Sequence, residues 1–382
     1  MKVQSSKWRA LSALVGITVV AALAMVGCGG GGSSSSGTTA GGSGVDIAAL
    51  EKIVAEHAKP GPIGPTVPIG KPIPKDVYVI FINAGAPANI SQEESFDEAA
   101  QVLGWKVENL TTEPTPPAIQ STFEEVIRRK PDAVAMTGLA IEQFPKQAKE
   151  LNELEIPIIS NTGTDPSTYN PAEGITLQNQ EPDEVAEAAA LLADKALVDA
   201  GGEGEFGAVN LTGYPSVAIN VEGFEHEIES RCPKCTVKHL EVNPTSLGKD
   251  APTIIANFLR ANSGITGIYF GYDGIAVGLN AALKGAGVTP PRTYAWAPDE
   301  VGVQELQTGE QTAAIPLGYP EGSWQFVDAI ARLETGGNVK DSKPVGPYVI
   351  WSKELDNVPQ DPKNPPVNPD YQAEFKKLWG IK

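Results

Sequence analysis

The sequence predicts an α/β protein of two similar doubly wound parallel-sheet lobes joined by a multi-strand hinge. Three observations carry this expectation. Apolar runs short enough for strands alternate with helix-period segments from Val77 onward. Strand starts recur about every 24–30 residues, the length of one βα unit whose right-handed crossover builds a parallel sheet. The series then occurs a second time. Its first-half starts fall near Val77, Trp105, Asp132 and Ile156, and its second-half starts near Phe206, Thr236, Thr266 and Thr293.

Residues 1–27 read as a signal peptide. Lys2, Lys7 and Arg9 precede an uncharged apolar run from Ala10 to Val26, which at 17 residues is at the short limit for a membrane span. Met25-Val26-Gly27-Cys28 resembles a bacterial lipobox, so Cys28 is the expected lipidation site. Residues 28–44 are then the lipidated cysteine and a Gly/Ser tether, with a reach of about 20–25 Å for a flexible coil. Within 45–75, residues 46–58 put Ile47, Leu50 and Val54 on one helical face, and 59–74 are too proline-rich for anything but an extended arm.

Val77–Ile82 is an unbroken apolar run, expected of a strand buried on both faces. Ser91-x-x-Glu94 reads as a capping box opening a helix with Phe96, Ala99, Ala100 and Leu103 inward. A strand at Trp105–Leu110 follows, then a helix opened by Thr115-Pro116. Next come a strand at Asp132–Met136, a helix at 141–153 and a strand at Ile156–Ser160. Pro182–Val198 forms the helix that joins the halves. The second half carries helices with Val217/Val221/Phe224/Ile228, Ile255/Phe258/Leu259 and Ile275/Leu279/Ala282. A strand (Thr312–Leu317), a helix (Gly322–Leu333) and a strand (Tyr348–Trp351) let the chain cross between lobes more than once. The expected lobes are 76–162 with 318–343, and 163–317 with 344–356. Residues 357–382 form a proline-rich tail ending in a short helix. Ligands of such sheets bind beyond the C-terminal strand edges, so two facing lobes make a clamp.

The net charge of −18 becomes −21 once the three positive charges of residues 1–27 are removed. So acidic a surface repels phosphate backbones and predicts no nucleic-acid partner. No nucleotide, zinc-protease or serine-hydrolase motif occurs, only three histidines are present, and no enzyme activity or cofactor is expected.

Val77–Asn83, Asp132–Met136 before Ile156-Pro157-Ile158-Ile159, Glu222-Gly223-Phe224, Gly267–Gly278 and Leu306–Ile315 resemble, in order and spacing, the type I periplasmic binding proteins of the ribose and galactose group. The resemblance implies a solute-binding lipoprotein of an ABC importer, monomeric and held on the outer face of the cytoplasmic membrane or in the periplasm. Its partners would be a small-molecule ligand and the ABC permease transmembrane subunits. The same clamp could instead serve a sensory receptor that presents its bound state to a membrane kinase or chemoreceptor.

The implied ligand residues are Asn83 at the end of the first strand, Asn89, Thr137 after the third strand, Asn179 and Gln180, Asn220, and Asp273 with its neighbour Tyr272. Tyr214, Trp296 and Tyr319 are the aromatics expected around the pocket. Several positions depart from the sugar-binding pattern. Ala88-Asn89 replaces the stacking aromatic pair, Asn220 an arginine, and Pro316-Leu317 a glutamine. A pocket with fewer charges disfavours a polyhydroxylated guest, because an unpaired buried polar group costs about 1–3 kcal/mol. The expected ligand is therefore a small uncharged molecule, sugar-like or less polar.

Cys232-Pro233-Lys234-Cys235 has His226 and His239 nearby. After Cys28 these two cysteines pair without a leftover, and export permits oxidation, so a disulfide is the favoured reading. Zinc held with the two histidines, and free thiols, remain alternatives.

Overall fold

The computed structural model describes residues 44–85, 87–161, 175–178, 181–343, 348–363 and 365–381. The expected signal peptide and Cys28 lie outside the described residues. Among those described, no helix is long and apolar enough to cross a membrane.

After α1 (Ile47–Glu56) and the extended arm, the first series runs β1 (Tyr78–Asn83), α2 (Pro87–Leu103), β2 (Lys106–Thr111), α3 (Pro116–Arg129), β3 (Ala133–Thr137), α4 (Pro145–Glu153), β4 (Ile158–Ser160) and β5 (Leu177–Gln178). The second runs α5 (Pro182–Asp199), β6 (Glu205–Leu211), α6 (Pro215–Arg231), β7 (Thr236–Val242), α7 (Ala251–Ala261), β8 (Ile265–Phe270), α8 (Leu279–Ala286), β9 (Arg292–Trp296), α9 (Glu300–Thr308) and β10 (Ala313–Ile315). Helices α10 (Tyr319–Glu334) and α11 (Tyr371–Leu378) follow.

The strands form two five-stranded sheets, ordered β2-β1-β3-β4-β5 and β10-β9-β8-β6-β7. Every ladder within them is parallel. Read from the other edge, the second order matches the first, with β7-β6-β8-β9-β10 in place of β2-β1-β3-β4-β5. The order reverses between β1 and β3, and again between β6 and β8. Each lobe thus has one topological switch point at its C-terminal strand edge.

Both faces of each sheet are covered, which is why the strand sequences are continuously apolar. Val79 and Phe81 of β1 pack with Phe96 of α2, Trp324 of α10 and Phe375 of α11. Ile80 and Ile82 point the other way, to Phe123 and Leu151. In the second lobe Phe206 and Tyr269 pack with Phe224, Leu192 of α5 and Leu50 of α1. Val209 and Phe270 face Ile255 and Leu283. Gly223 lets α6 approach α5, since a β-carbon there would lie 2.7 Å from the Ala186 carbonyl oxygen.

Local signals explain the ends of several elements. Pro116 opens α3 and Lys130 closes it in the left-handed conformation (φ 50°). The Glu181 backbone N–H donates to the Glu184 carboxylate, capping α5. Other expectations are corrected. Ser91 caps nothing, because α2 begins at Pro87 and Ser91 lies within it. The 141–153 segment splits into a 3-10 turn at Ile141–Gln143 and α4. Tyr348–Trp351 makes only an isolated antiparallel bridge, Trp351 to Ala314. Leu177–Gln178 pairs with β4, so the first sheet extends past the lobe border expected at 162.

Two further segments run between the lobes. The arm leaves α1 in the second lobe, where the Ile350 N–H donates to the His57 carbonyl. It reaches the first lobe, where the Val67 carbonyl accepts from Arg332 (2.8 Å) and the Pro74 carbonyl from Trp105 Nε1 (2.8 Å). The tail starts beside α9, with Gln307 Nε2 donating to the Pro359 carbonyl (2.7 Å). It ends in the first lobe, where Trp379 stacks on Trp324 at 5.3 Å.

Candidate functional site

Parallel strands deliver side chains to their C-terminal edge, and the switch points open a crevice there. In the first lobe Asn83 and Thr137 are register partners on β1 and β3, directly at the switch point. Both are buried. Asn83 Nδ2 donates to the Glu93 carboxylate, and its Oδ1 accepts from the Gly85 N–H at 2.8 Å. Asn89 Nδ2 donates to Thr137 Oγ1 at 3.1 Å, and that hydroxyl donates to Gln92 Oε1. Asn161 Nδ2 also donates to Gln92 Oε1, at 3.2 Å. Asn89 and Thr137 therefore meet in one hydrogen-bonded cluster, with Asn83 beside it in the strand register. Burial raises the Glu93 carboxyl above its ordinary range, against the lowering effect of the Asn83 bond.

The second lobe repeats the arrangement after β6 and β8. Tyr214 caps the start of α6 and is 41% exposed. Tyr272 follows β8, and burial, Asp299, Asp273 and Tyr214 together raise its phenol. Tyr319, at the start of α10, is raised by burial, Tyr272, Asp299 and Asp273. Phenol hydroxyls of this kind can both donate and accept. Asp299 caps α9, its carboxylate accepting from the Val301 N–H (2.9 Å) and the Gly302 N–H (3.3 Å). It is presented by Ala297, a non-glycine residue at φ 60°. Backbone strain of this kind concentrates at functional sites.

Between the lobes lies a cavity of about 310 Å³. Its walls include Ser91 and Glu94 of α2, Asp299 and Glu300 at the start of α9, Tyr319 at the lobe crossing, and Lys363 of the tail. A larger cavity of about 580 Å³, lined by Ile53, Leu191, Glu321 and Tyr348 among others, shares the crossing residues Pro316–Gly318 but none of the predicted ligand residues.

Of the predicted ligand residues that are described, only Tyr319 lines the cavity of about 310 Å³; Asn83, Asn89, Thr137, Tyr214 and Tyr272 are not among its walls, and three others are spent in packing. Asn220 is wholly buried on α6. Its Nδ2 donates to the Val185 carbonyl (3.1 Å) and its Oδ1 accepts from the Tyr269 hydroxyl, so it ties α6 to α5 and β8 inside the core. Trp296 ends β9 on the face packed against α5, 5% exposed. Asp273 turns into α9: a β-carbon on Gly302 would lie 2.2 Å from its Oδ2, and the residue is 2% exposed. Burial, with Asp299 adding to it, raises the Asp273 carboxyl well above its ordinary range. Asn179 and Gln180 lie outside the described residues.

Gln92, Glu93, Asn161 and Asp299, which no sequence expectation named, stand among these polar groups. The misplaced start of α2 hid the first two, and Asp299 had a signal in the Asp-Glu pair opening an amphipathic segment. Cys232 and Cys235 form a disulfide, with Cα atoms 5.3 Å apart. His239 is engaged by Glu225 (2.7 Å) and Glu241 (2.8 Å) instead of the sulfurs.

Matched parallel sheets with polar crevices at their switch points define a two-lobed small-molecule binder. The family model described as Periplasmic binding protein domain matches residues 77–338, and the chain belongs to that family. Solved structures share the fold at low identity. An ABC transporter periplasmic solute binding protein from Actinobacillus succinogenes 130z with bound D-allose is 16% identical, TM-score 0.65, over 75% of this chain and 99% of that one. The periplasmic ribose ABC transporter from Conexibacter woesei is 18% identical, TM-score 0.63, over 76% and 96%. A solute binding protein from Burkholderia graminis in complex with D-arabinose is 15% identical, TM-score 0.63, over 73% and 96%. No curated protein sequence matches the chain.

Proposed function

We propose that this protein is an extracytoplasmic solute-binding lipoprotein that captures a small uncharged, hydroxylated molecule between its lobes and delivers it to an ABC permease. The observation that carries the reading is the cavity of about 310 Å³ walled by both lobes and by the crossing at Tyr319. That volume is at the small end of ligand sites and suits a single ring. Amide groups of Asn83 and Asn89, the Thr137 hydroxyl, the phenols of Tyr214, Tyr272 and Tyr319, and carboxylates of Glu93, Glu94 and Asp299 are the polar groups of the two crevices. Carboxylates accepting from hydroxyls make charge-assisted bonds, about twice as strong as neutral ones. The sequence undercounted these acids, so the balance moves toward a sugar-like guest and away from a less polar one. The sugars named for similar structures point the same way.

A ligand touching both lobes stabilises the closed form by its differential affinity, and the closed form is what a permease would receive. Calorimetric titration with D-allose, D-ribose and D-arabinose tests the reading. Micromolar or tighter binding of at least one neutral sugar is expected. Failure of all three, with a charged molecule found by native mass spectrometry, would overturn it.

A further inference from the structure

We propose that the C-terminal tail forms a wall of the ligand site, and that Lys363 is a specificity-determining donor to an oxygen of a neutral one-ring polyol. This rests on the solute-binding reading of the interlobe cavity. Lys363 and Pro365 line that cavity together with Glu94 from the first lobe and Asp299 and Glu300 from the second. Lys363 is the only basic residue among its described walls.

The tail is held on both sides of this point. Gln307 Nε2 donates to the Pro359 and Gln360 carbonyls, at 2.7 and 2.9 Å. The Lys363 N–H donates to Asp361 Oδ1 at 3.0 Å, a local turn that sets its backbone. Beyond it, the Asn368 N–H donates to Glu321 Oε1 at 2.6 Å. Trp379 is then locked into the first lobe by its donation to Asp328 Oδ1 at 2.9 Å. The segment carrying Lys363 is therefore anchored to α9 at one end and α10 at the other. The family match ends at residue 338, so this wall is added to the shared body.

Its chemistry is complementary to the rest of the cavity. Glu94, Asp299 and Glu300 offer acceptors and negative charge, which favours hydroxyl donors and repels anions. Lys363 adds a donor without an acceptor and reduces the attraction for a competing cation. A neutral polyol uses both kinds of group. An amino sugar gains from the acids but is opposed by the ammonium.

The test uses the full chain without its leader and compares wild type, Lys363→Met and Lys363→Arg by calorimetry. The probes are D-allose, D-ribose and D-arabinose, with D-galactosamine as the cationic comparator. For the neutral sugar that wild type binds best, Lys363→Met is expected to bind at least tenfold more weakly, and its preference for D-galactosamine over that sugar to rise. Lys363→Arg is expected to stay within about threefold of wild type. A purely structural role for the tail would weaken all probes alike and leave the preference unmoved, and that result would overturn the assignment. Equal neutral-sugar affinity in wild type and Lys363→Met would also remove Lys363 from the site while leaving the binding function intact. A wild type that binds none of the neutral sugars would overturn the solute reading itself, and this assignment with it.

Discussion

Gly138 sits where the polar cluster of the first lobe is tightest. Its φ is +73°, and a β-carbon there would lie 2.9 Å from Asn89 Oδ1 and 3.2 Å from the Ala84 β-carbon. Gly138→Ala is expected to push Asn89 off Thr137 and weaken ligand binding at least tenfold by calorimetry. The left-handed backbone adds a stability loss of about 1–2 kcal/mol. Unchanged affinity would take Asn89 out of the site. Legibility at this scale followed position along strands. Asn83 was readable because it ends a run of apolar residues, where a parallel strand must expose a polar side chain. Asn220 was expected from the resemblance, as the replacement of an arginine, and a resemblance in sequence does not say which neighbours an amide of this chain will answer. Its amide answers the Val185 carbonyl and the Tyr269 hydroxyl, partners 35 and 49 residues away.

Among the elements, α10 carries a buried ion pair. Arg332 and Asp328 are buried one turn apart, with Arg332 Nε donating to Asp328 Oδ2 at 2.7 Å. Asp328 also accepts from Trp379 Nε1 and from the Ser342 hydroxyl, and Arg332 reaches the Val67 carbonyl of the arm. One pair thus joins arm, helix and tail. Asp328→Ala leaves a buried guanidinium uncompensated and is expected to cost about 3–5 kcal/mol in denaturant unfolding. A loss below about 1 kcal/mol would mean that water replaces the carboxylate. From sequence, this helix was placed within a few residues, but its partners were invisible. The arm and the tail lie more than 250 and about 50 residues from Arg332 and Asp328 respectively. The Trp324–Trp379 stack shows that the end of the tail packs on this helix.

For the whole molecule, Glu321 reports on how crossing and tail fit together. It follows the crossing at Gly318, and its Oε1 accepts from the Asn368 N–H at 2.6 Å while Oε2 is buried without a partner. Burial raises this carboxyl to about 7, against the lowering effect of the backbone donors. Its unfolded value is near the ordinary ~4.3. Between these values the folded chain holds more protons than the unfolded one, so this group's contribution to stability falls as pH rises from about 4 to about 7. Glu321→Gln keeps an acceptor for Asn368 without the charge. Relative to wild type it is expected to gain about 1–3 kcal/mol between pH 4.5 and pH 8, read from paired denaturant curves. Parallel curves with no such gain would show that the carboxylate is solvated. Burial of this residue depends on two crossings and the tail meeting, which no local pattern encodes.

The sequence by itself determined the class of fold and its doubling, because βα units of fixed length can only return their strands in parallel and each buried strand must be apolar on both faces. It also pointed to the strand edge where Asn83 and Thr137 stand. Only the tertiary structure decided which polar groups share a cavity, which ones are spent in the core, and that the tail closes one wall. Those outcomes depend on pairings across tens to hundreds of residues, where the energy lies in contacts and burial instead of local periodicity.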